Sequence, residues 1–268
     1  MDRSVNRFGL SEVSKPDAGI SQVDIVFVHG INGHPSGTWT SEKENTFWLA
    51  QLLPRFVEEA KARVLVYGYD ADTVLSTKEI AHSDTPFDRH APPKSITLLG
   101  QDRIYNYAEH LVATLWANRS RRHATDHPIV FVAYSLGGIV VKRALIHSSG
   151  KKGKYTEYLR SIALSTYGIL FLGTPYYGSE TIKWASWLKD VSSITRKDVS
   201  QARLLETLKP NSETLQNIDR QFVELANEFH IFYFYETKLI KMNDGSRYIV
   251  DEISAAPNIR DVERAGIQ

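Results

Sequence analysis

"FVAYSLGGIVVKRAL", residues 131–145, is the stretch that decides the fold of this chain. A run of mostly branched and aromatic residues ends at Tyr134, and a second apolar run follows Gly137 and Gly138. The first run predicts a buried strand, and the second predicts a helix that begins directly behind Ser135. A serine at such a sharp strand-to-helix turn has its hydroxyl lifted out of the sheet, where it can act as a nucleophile.

The turn departs from the usual Gly-x-Ser-x-Gly pattern at one position, because Ala133 stands in place of the first glycine. One methyl group is the smallest addition that the close approach of strand and helix would have to accommodate. Taken alone, this short pattern predicts equally well a tight turn in which Ser135 only caps the helix. A second motif is needed to choose between the two interpretations.

The second motif is "HGINGHPSGTW", residues 29–39, which follows the buried run "VDIVFV". His29 and Gly30 allow the chain to turn beneath the nucleophile. The backbone N–H of Ile31, or that of Asn32, then joins the N–H of Leu136 in an oxyanion hole. We expect His29 to bond backbone atoms of the turn. Two such motifs in this order, each at a strand end, favour the catalytic interpretation.

Composition favours one domain of the α/β class spanning residues 1–268. With 42% hydrophobic and 24% charged residues, the chain can bury one large core. A net charge of +1 gives no overall attraction to nucleic acid or to an anionic membrane. The absence of cysteine excludes thiol nucleophiles, disulfides and thiolate metal sites. A membrane-spanning helix needs about 20 consecutive apolar residues, and no apolar run in the sequence is nearly so long. We therefore expect a cytoplasmic protein.

Strand-like and helix-like stretches alternate along the chain. The apolar runs of strand length are residues 23–30, 62–70, 128–135, 168–175, 230–236 and 247–253. The stretches with helical periodicity are residues 47–60 (interrupted by Pro54), 104–118, 139–147 and 215–229. The first four strands are almost continuously apolar, as in a parallel sheet buried on both faces. The pattern predicts a mostly parallel central sheet with helices on both faces.

Two segments do not fit this alternation. Residues 71–100 contain three prolines and two histidines, which indicates a long excursion. Residues 179–212 are helix-compatible and begin beyond the fourth strand, where parallel sheets leave a crevice for ligands. We interpret both as insertions, the second either as a helical lid or as an ordinary surface insertion.

A catalytic acid is expected after one of the strands that follow Ser135, and a histidine after the last strand. Glu236 ends the run "HIFYFYE" and is the first candidate for the acid. Asp251 and Glu252 are rivals, and an exposed carboxylate without a catalytic role is the alternative.

The base is harder to assign, because none of the nine histidines lies beyond the predicted final strand. His230 begins a strand and so lies at the opposite edge of the sheet from Ser135. His147 lies about 18 Å along the helix at about 1.5 Å per residue. His82 and His90, in the excursion, are the remaining candidates.

Together these residues resemble the α/β-hydrolase domains at the N-terminus of fungal NACHT-type and related nucleotide-binding receptors. That serine-esterase group also includes lipase-like and GPI inositol-deacylase-like proteins. The resemblance extends over nearly the whole chain, through "VDIVFVHGINGHPSGTW", "ARVLVYGYDAD", "IVFVAYSLGGIVVKRAL", "GILFLGTPYYGS", "FYFYETK" and "YIVDEISAAP". It implies Ser135 as nucleophile, Glu236 as acid and the Ile31 and Leu136 N–H groups as oxyanion donors.

The resemblance also shows departures. Ala133–Tyr134 stands where the family usually has Gly-His, and Tyr176–Tyr177 where it often has His-Arg, which affects the expected substrate preference. The family places its catalytic histidine shortly after the segment that matches "SAAPNIRDVERAGIQ". We therefore expect this chain to be a fragment that stops at Gln268 just short of its base. Nucleotide-binding and repeat domains are the expected downstream partners in the full-length protein.

Two functions follow from these observations. The first is a serine ester hydrolase without a cofactor, acting through an acyl-enzyme on a lipid or another acyl ester. The second is a non-catalytic interaction or signalling module that retains the fold. Nucleotide binding is not expected within this chain, because no phosphate-binding loop occurs, and zinc binding is not expected, because the His123/His127 pair lacks the flanking glutamate of a zinc protease. Arg119, Arg121 and Arg122 are better explained as cations at a helix end than as a nucleic-acid site. Trp39, Tyr176 and Trp184 are candidates either for an acyl pocket or for core packing.

Overall fold

The computed structural model describes residues 5–16, 21–71, 94–150, 153, 156–174, 213–236, 240–242, 245–247 and 263–267. The strands are β1 (Gly9–Ser14), β2 (Val23–Val28), β3 (Thr40–Ser41), β4 (Thr46–Phe47), β5 (Ala62–Gly68), β6 (Ile129–Tyr134), β7 (Thr166–Leu172), β8 (His230–Glu236), β9 (Ile240–Met242), β10 (Gly245–Arg247) and β11 (Glu263–Ile267). The α-helices are α1 (Trp48–Gln51), α2 (Leu53–Val57), α3 (Lys94–Arg121), α4 (Leu136–Ser149), α5 (Ser161–Ser165) and α6 (Glu213–Ala226). Short 3₁₀ turns cover Gly37–Trp39 and Glu157–Arg160.

Seven strands form the central sheet in the order β1-β5-β2-β6-β7-β8-β11. All neighbouring pairs are parallel except β1 and β5, which are antiparallel. The parallel strands therefore all begin at one edge, called here the amino edge, and all end at the other, the carboxyl edge. The mostly parallel sheet predicted from the apolar runs is confirmed.

The last strand of the sheet, β11, was not among the predicted strands. Sequence periodicity favoured residues 247–253, but Arg247 belongs to a small hairpin of β9 and β10 outside the central sheet. The strand that pairs with β8 is β11, in which Ile267 is aligned with Glu236. With the sequence "ERAGI", β11 has too few branched apolar residues to be recognised as a strand from its sequence alone. Residues 248–262, which include Asp251 and Glu252, lie outside the described part of the chain.

The predicted helices are present, with different bounds. The break at Pro54 is confirmed, because two short helices meet at Leu52 and the proline occupies the first turn of α2, where its missing N–H costs nothing. Helix α3 begins at Lys94, so residues 94–100 belong to a helix and not to the predicted excursion. The remainder of that excursion, residues 72–93, and the predicted lid, residues 179–212, lie outside the described residues.

The core has a large cluster on one face of the sheet and a smaller one on the other. Helices α3, α4 and α6 pack their apolar sides on the first face, together with Val26 and Val28 of β2. Phe27, between those two valines, points to the second face and packs with Trp39 and Leu49. This alternation is the period of two expected for a strand buried on both faces.

The amino edge contains a buried ion cluster centred on Asp24, the second residue of β2. Its carboxylate accepts a hydrogen bond from Arg63 Nε of β5 at 2.8 Å and another from Arg119 Nη1 of α3 at 2.5 Å. All three side chains are buried. Arg119 Nη2 also donates to the carbonyl oxygens of Thr125 and His127, just before β6. The cluster ties two strands, a helix and a loop together at the edge remote from Ser135.

Candidate active site

Ser135 occupies the tight turn between β6 and α4 at the carboxyl edge. Its backbone has φ 53° and ψ −122°, a region that residues with a side chain rarely adopt. Such a conformation costs about 1–3 kcal/mol and persists only where its surroundings enforce it. The Ser135 N–H donates to Leu172 O at the end of β7 at 2.9 Å, and the residue is 7% exposed. The hydrogen bonding between β6 and β7 therefore extends one residue beyond β6, to Ser135 itself.

Thr174 supports the same turn from β7, and the sequence analysis did not identify it. Its hydroxyl lies 3.1 Å from Ser135 O and 3.4 Å from Ala133 O, and both contacts have hydrogen-bonding geometry. A Cβ atom added to Gly138 would lie 2.2 Å from Thr174 Oγ1, so helix α4 presses directly on the threonine. The signal available in the sequence was a hydroxyl residue two positions after β7, the strand beside β6.

Two glycines let the backbone segments approach Ser135. A Cβ atom on Gly30 would lie 2.8 Å from Ser135 Cβ, and one on Gly137 would lie 2.4 Å from Val28 O. Real Cβ atoms essentially never approach so closely. The loop after β2 and the first turn of α4 therefore both pass directly beside the serine.

The two backbone N–H groups expected to form an oxyanion hole lie on these two segments. Leu136 is the first residue of α4, so its N–H has no acceptor within the helix and lies at the positive end of the helix dipole. The Asn32 N–H, the alternative to Ile31, donates to Ala71 O at 2.9 Å. Since that group is already bonded, the geometry favours Ile31 as the donor from the loop.

His29 is completely buried and is held by both ring nitrogens. The Tyr69 N–H donates to His29 Nε2 at 3.3 Å, so the ring proton is on Nδ1, which donates to Gly30 O at 2.9 Å. The rings of His29 and Tyr69 stack with centroids 4.4 Å apart and an angle of 4° between their planes. Because both nitrogens are in use, His29 stabilises the loop and does not serve as the base.

Three other histidines within the described residues, His34, His147 and His230, have partners or positions of their own. His34 is exposed in the loop after β2, and its Nδ1 accepts from the N–H groups of Ser36 and Gly37. His147, near the end of α4, lies 3.3 Å from Glu109 of α3, and His230 is at the amino edge, aligned with Gly168. His82 and His90 lie outside the described residues.

Glu236 is the last residue of β8 and lies at the same edge as Ser135. The connection runs through β7, because Ser135 bonds Leu172 and the Gly173 N–H donates to Phe234 O at 2.8 Å. Glu236 follows Phe234 by two residues, so its backbone lies two strands across the sheet from the serine. This is the end of the strand at which a triad acid is expected.

Of the three aromatic residues considered for an acyl pocket, the structure describes only Trp39. Trp39 packs in the core with Phe27 and Trp48, which supports the core-packing alternative for this residue. Tyr176 and Trp184 lie outside the described part of the chain. A cavity of about 440 Å³ lies at the amino edge, beside Ser14 and Ala62.

The described residues contain no cluster of three or more metal-ligating side chains, and none of their helices is long and apolar enough to span a membrane.

Comparison with known proteins first shows distant relatives in sequence. No family model matches the chain. The chain is 24% identical to Protein SERAC1 of Homo sapiens over 223 residues, which cover 81% of this chain and 30% of that protein. It is 23% identical to Protein SERAC1 of Danio rerio over 237 residues. The chain thus spans less than a third of the length of the curated relatives that it matches.

Comparison with solved structures identifies the fold. The mature form of the Bacillus licheniformis lipase BlEst2 superimposes with a TM-score of 0.58 and 17% identity, over 98% of this chain and 91% of the lipase. Its propeptide form gives a TM-score of 0.50 and 18% identity, over 88% and 41%. This likeness and the mostly parallel sheet show that the chain has the α/β-hydrolase fold, as predicted.

Proposed function

We propose that this chain is the catalytic domain of a serine ester hydrolase in which Ser135 is the nucleophile. The observation that carries the proposal is the strained backbone of Ser135 at a carboxyl-edge turn, with Gly30 on one side and the start of α4 on the other. Backbone strain of this size lowers the stability of the protein. It is therefore found mainly at functional sites, where the strained geometry is part of the mechanism. A serine that only capped a helix would not require it, and the Ser135 side chain makes no capping hydrogen bond.

The reaction follows from the positions of these groups. Ser135 Oγ attacks the carbonyl carbon of an acyl ester and gives its proton to a base, and the N–H groups of Ile31 and Leu136 bind the developing oxyanion. Collapse of the tetrahedral intermediate expels the alcohol, which takes the proton, and leaves an acyl group on Ser135. Water then attacks this acyl-enzyme with the same base and returns free serine and a carboxylic acid. No cofactor takes part in the proposed reaction.

Glu236 is the proposed acid that orients the base. We place the base, a histidine, after β11 in a longer form of the protein, because β11 runs parallel to β8 and ends at the same edge as Ser135. The alternative bases within this chain are His82 and His90. An extended form of the protein and substitutions of these two histidines distinguish the alternatives.

The proposed substrate is a lipid or another acyl ester, and the proposed setting is an N-terminal domain of a larger cytoplasmic signalling protein with nucleotide-binding and repeat domains. The lipase BlEst2 supports the substrate class only through the shared fold. The small share of the SERAC1 proteins that the chain matches supports a larger protein. The absence of cysteine fits a reducing compartment.

The second candidate function is a hydrolase-fold module without catalysis. The observation that favours it is that His29 uses both ring nitrogens within its own loop, while His147 and His230 lie on parts of their elements remote from Ser135.

Labelling with a fluorophosphonate probe tests the proposal. The probe is applied to this chain, to a form extended past Gln268, and to the Ser135→Ala variant of each. We expect labelling of the extended form that is lost in its Ser135→Ala variant. Loss of labelling in His82→Ala or His90→Ala would instead assign the base to the excursion. If neither form labels, the enzyme proposal fails and the module is favoured.

A further inference from the structure

The loop that carries Ile31 is held at two points by residues that follow β5. On one side of Ile31, the Tyr69 hydroxyl donates to His29 O at 2.8 Å. On the other side, the Asn32 N–H donates to Ala71 O at 2.9 Å. Ile31 thus lies between two backbone groups that are both bound by the segment from Tyr69 to Ala71.

Tyr69 makes three contacts with His29, and together they fix the entry into the loop. Besides the hydroxyl bond, its N–H donates to His29 Nε2 and its ring stacks on the imidazole. The N–H bond leaves the His29 proton on Nδ1, where it can donate to Gly30 O. Tyr69 thus acts through His29 on the Gly30 carbonyl, which also accepts from the Gly33 N–H at 3.1 Å and adjoins the Ile31 N–H in the same peptide unit.

Helix α3 holds Tyr69 in turn. The ring of Tyr107 lies 4.8 Å from that of Tyr69, and the Tyr107 hydroxyl donates to Asp70 O. Tyr69 is only 5% exposed, and its burial together with the neighbouring Tyr107 raises its pKa well above 10.0. Its hydroxyl therefore remains a neutral donor over the whole pH range in which a histidine-dependent hydrolase works.

We infer that Tyr69 is a positioning residue, which sets the direction of the Ile31 N–H toward the oxyanion through its bonds to His29. The inference rests on the proposed function, because it assigns a role within the proposed oxyanion hole. A donor in such a hole stabilises the transition state only if it is directed correctly before the reaction begins. Because Tyr69 is buried, we expect its effect to be on the reaction rate and not on substrate binding.

The test compares Tyr69→Phe with Tyr67→Phe in the form of the protein that turns over the probe ester p-nitrophenyl butyrate. Tyr67 is a matched control, since it is a buried tyrosine two residues earlier, in β5, whose hydroxyl donates to Tyr107 O in α3 and not to the loop. Both changes remove one hydroxyl and keep the ring and the backbone N–H, so Tyr69→Phe tests the bond from the Tyr69 hydroxyl to His29 O.

Removing an oxyanion donor outright costs about 10²–10³ in kcat, so we expect misdirecting one to cost about tenfold in Tyr69→Phe, with KM changed by less than about twofold. In Tyr67→Phe we expect a similar loss of melting temperature with kcat within about twofold of wild type. Equal kcat values for the two variants, or a loss in Tyr69→Phe confined to KM, would overturn the inference.

A second measurement separates this inference from the proposed function. Amide hydrogen exchange at Asn32 and Gly33 reports the order of the loop whether or not the protein hydrolyses esters. We expect faster exchange at both amides in Tyr69→Phe than in Tyr67→Phe. A wild type without turnover would reject the proposed function, and equal exchange in the two variants would then reject the positioning role of Tyr69 by itself.

Discussion

The two edges of the sheet both bury polar groups, but they use them differently. At the amino edge, the Asp24 carboxylate is bound by Arg63 and Arg119, and the backbone there is regular strand and helix. At the carboxyl edge, Ser135 has a strained backbone, and Gly30 and Gly137 lie in contacts that a side chain would not fit. Opposite charges are paired at the first edge, and backbone segments are held in close contact at the second.

The physical difference lies in what each arrangement leaves available. In the Asp24 cluster the polar atoms mainly satisfy one another, so the cluster can stabilise the fold but has little left to offer a ligand. At the Ser135 turn, the stabilising contacts are made by Ser135 backbone atoms and by Thr174, which keeps the serine hydroxyl and the Leu136 N–H out of the internal network. We therefore expect substitutions at the amino edge to change stability alone, and substitutions at the carboxyl edge to change both stability and reactivity.

The largest effect is expected from Asp24→Ala at the amino edge. Two buried guanidinium groups lose their shared carboxylate, which should lower the free energy of unfolding by about 3–5 kcal/mol. Fluorophosphonate labelling per folded molecule should remain at the wild-type rate, because Asp24 is at the edge remote from Ser135. Urea denaturation measures the first quantity and labelling below the unfolding midpoint the second.

The control is Glu59→Ala, which removes an exposed carboxylate near the end of α2 and should change stability by no more than about 0.5 kcal/mol. A labelling rate that fell with Asp24→Ala would show that the two edges are coupled and would break the comparison.

An intermediate effect is expected from Gly137→Ala at the carboxyl edge. The new methyl group would lie 2.4 Å from Val28 O and 2.5 Å from His29 O, so backbone must move. Overpacking of this kind costs about 1–3 kcal/mol, and the displaced loop should also slow labelling of Ser135. Thermal unfolding and labelling rate are measured on the same samples.

Gly150→Ala is the matched control at the other end of the same helix. The nearest atom to its new Cβ would be 3.4 Å away, and its φ of −74° suits alanine. Stability and labelling should both stay close to wild type. Equal behaviour of the two alanine variants would show that close approach at Gly137 is unimportant for the site.

The smallest effect is expected from the strain at Ser135 itself. Ser135→Ala and Ser135→Gly both remove the nucleophile, but only glycine adopts φ 53° and ψ −122° without a steric penalty. Glycine also raises the conformational entropy of the unfolded chain, which offsets part of this advantage. The net expectation is that the glycine variant is more stable than the alanine variant by about 1 kcal/mol. Calorimetry on the pair measures this difference. A glycine variant of equal or lower stability would mean that the turn stores no strain.

Local features of the site were predictable because each has a short signature in the chain. The turn at Ser135 and the loop at His29 were located from apolar runs that end in small residues, and Glu236 was placed at the end of a strand in the same way. Their catalytic roles belong to the proposed function. Thr174 and Tyr69 were not found, because their roles depend on β7 lying beside β6 and on β5 lying beside β2. The strand β11 was missed for a related reason, since its pairing with β8 compensates for its weak sequence pattern.

The sequence by itself determined the alternation of strands and helices, because the periods of apolar residues reflect which faces must leave water. It also determined where Ser135 lies along the chain and that Ala133, Gly137 and Gly138 leave room around it. Only the tertiary structure decided that Asn32 bonds Ala71, that Tyr69 orients His29, and that Asp24 is shared by two arginines. Each of these contacts joins residues about 40 or more positions apart in the chain. No local sequence pattern encodes which distant segment will be adjacent.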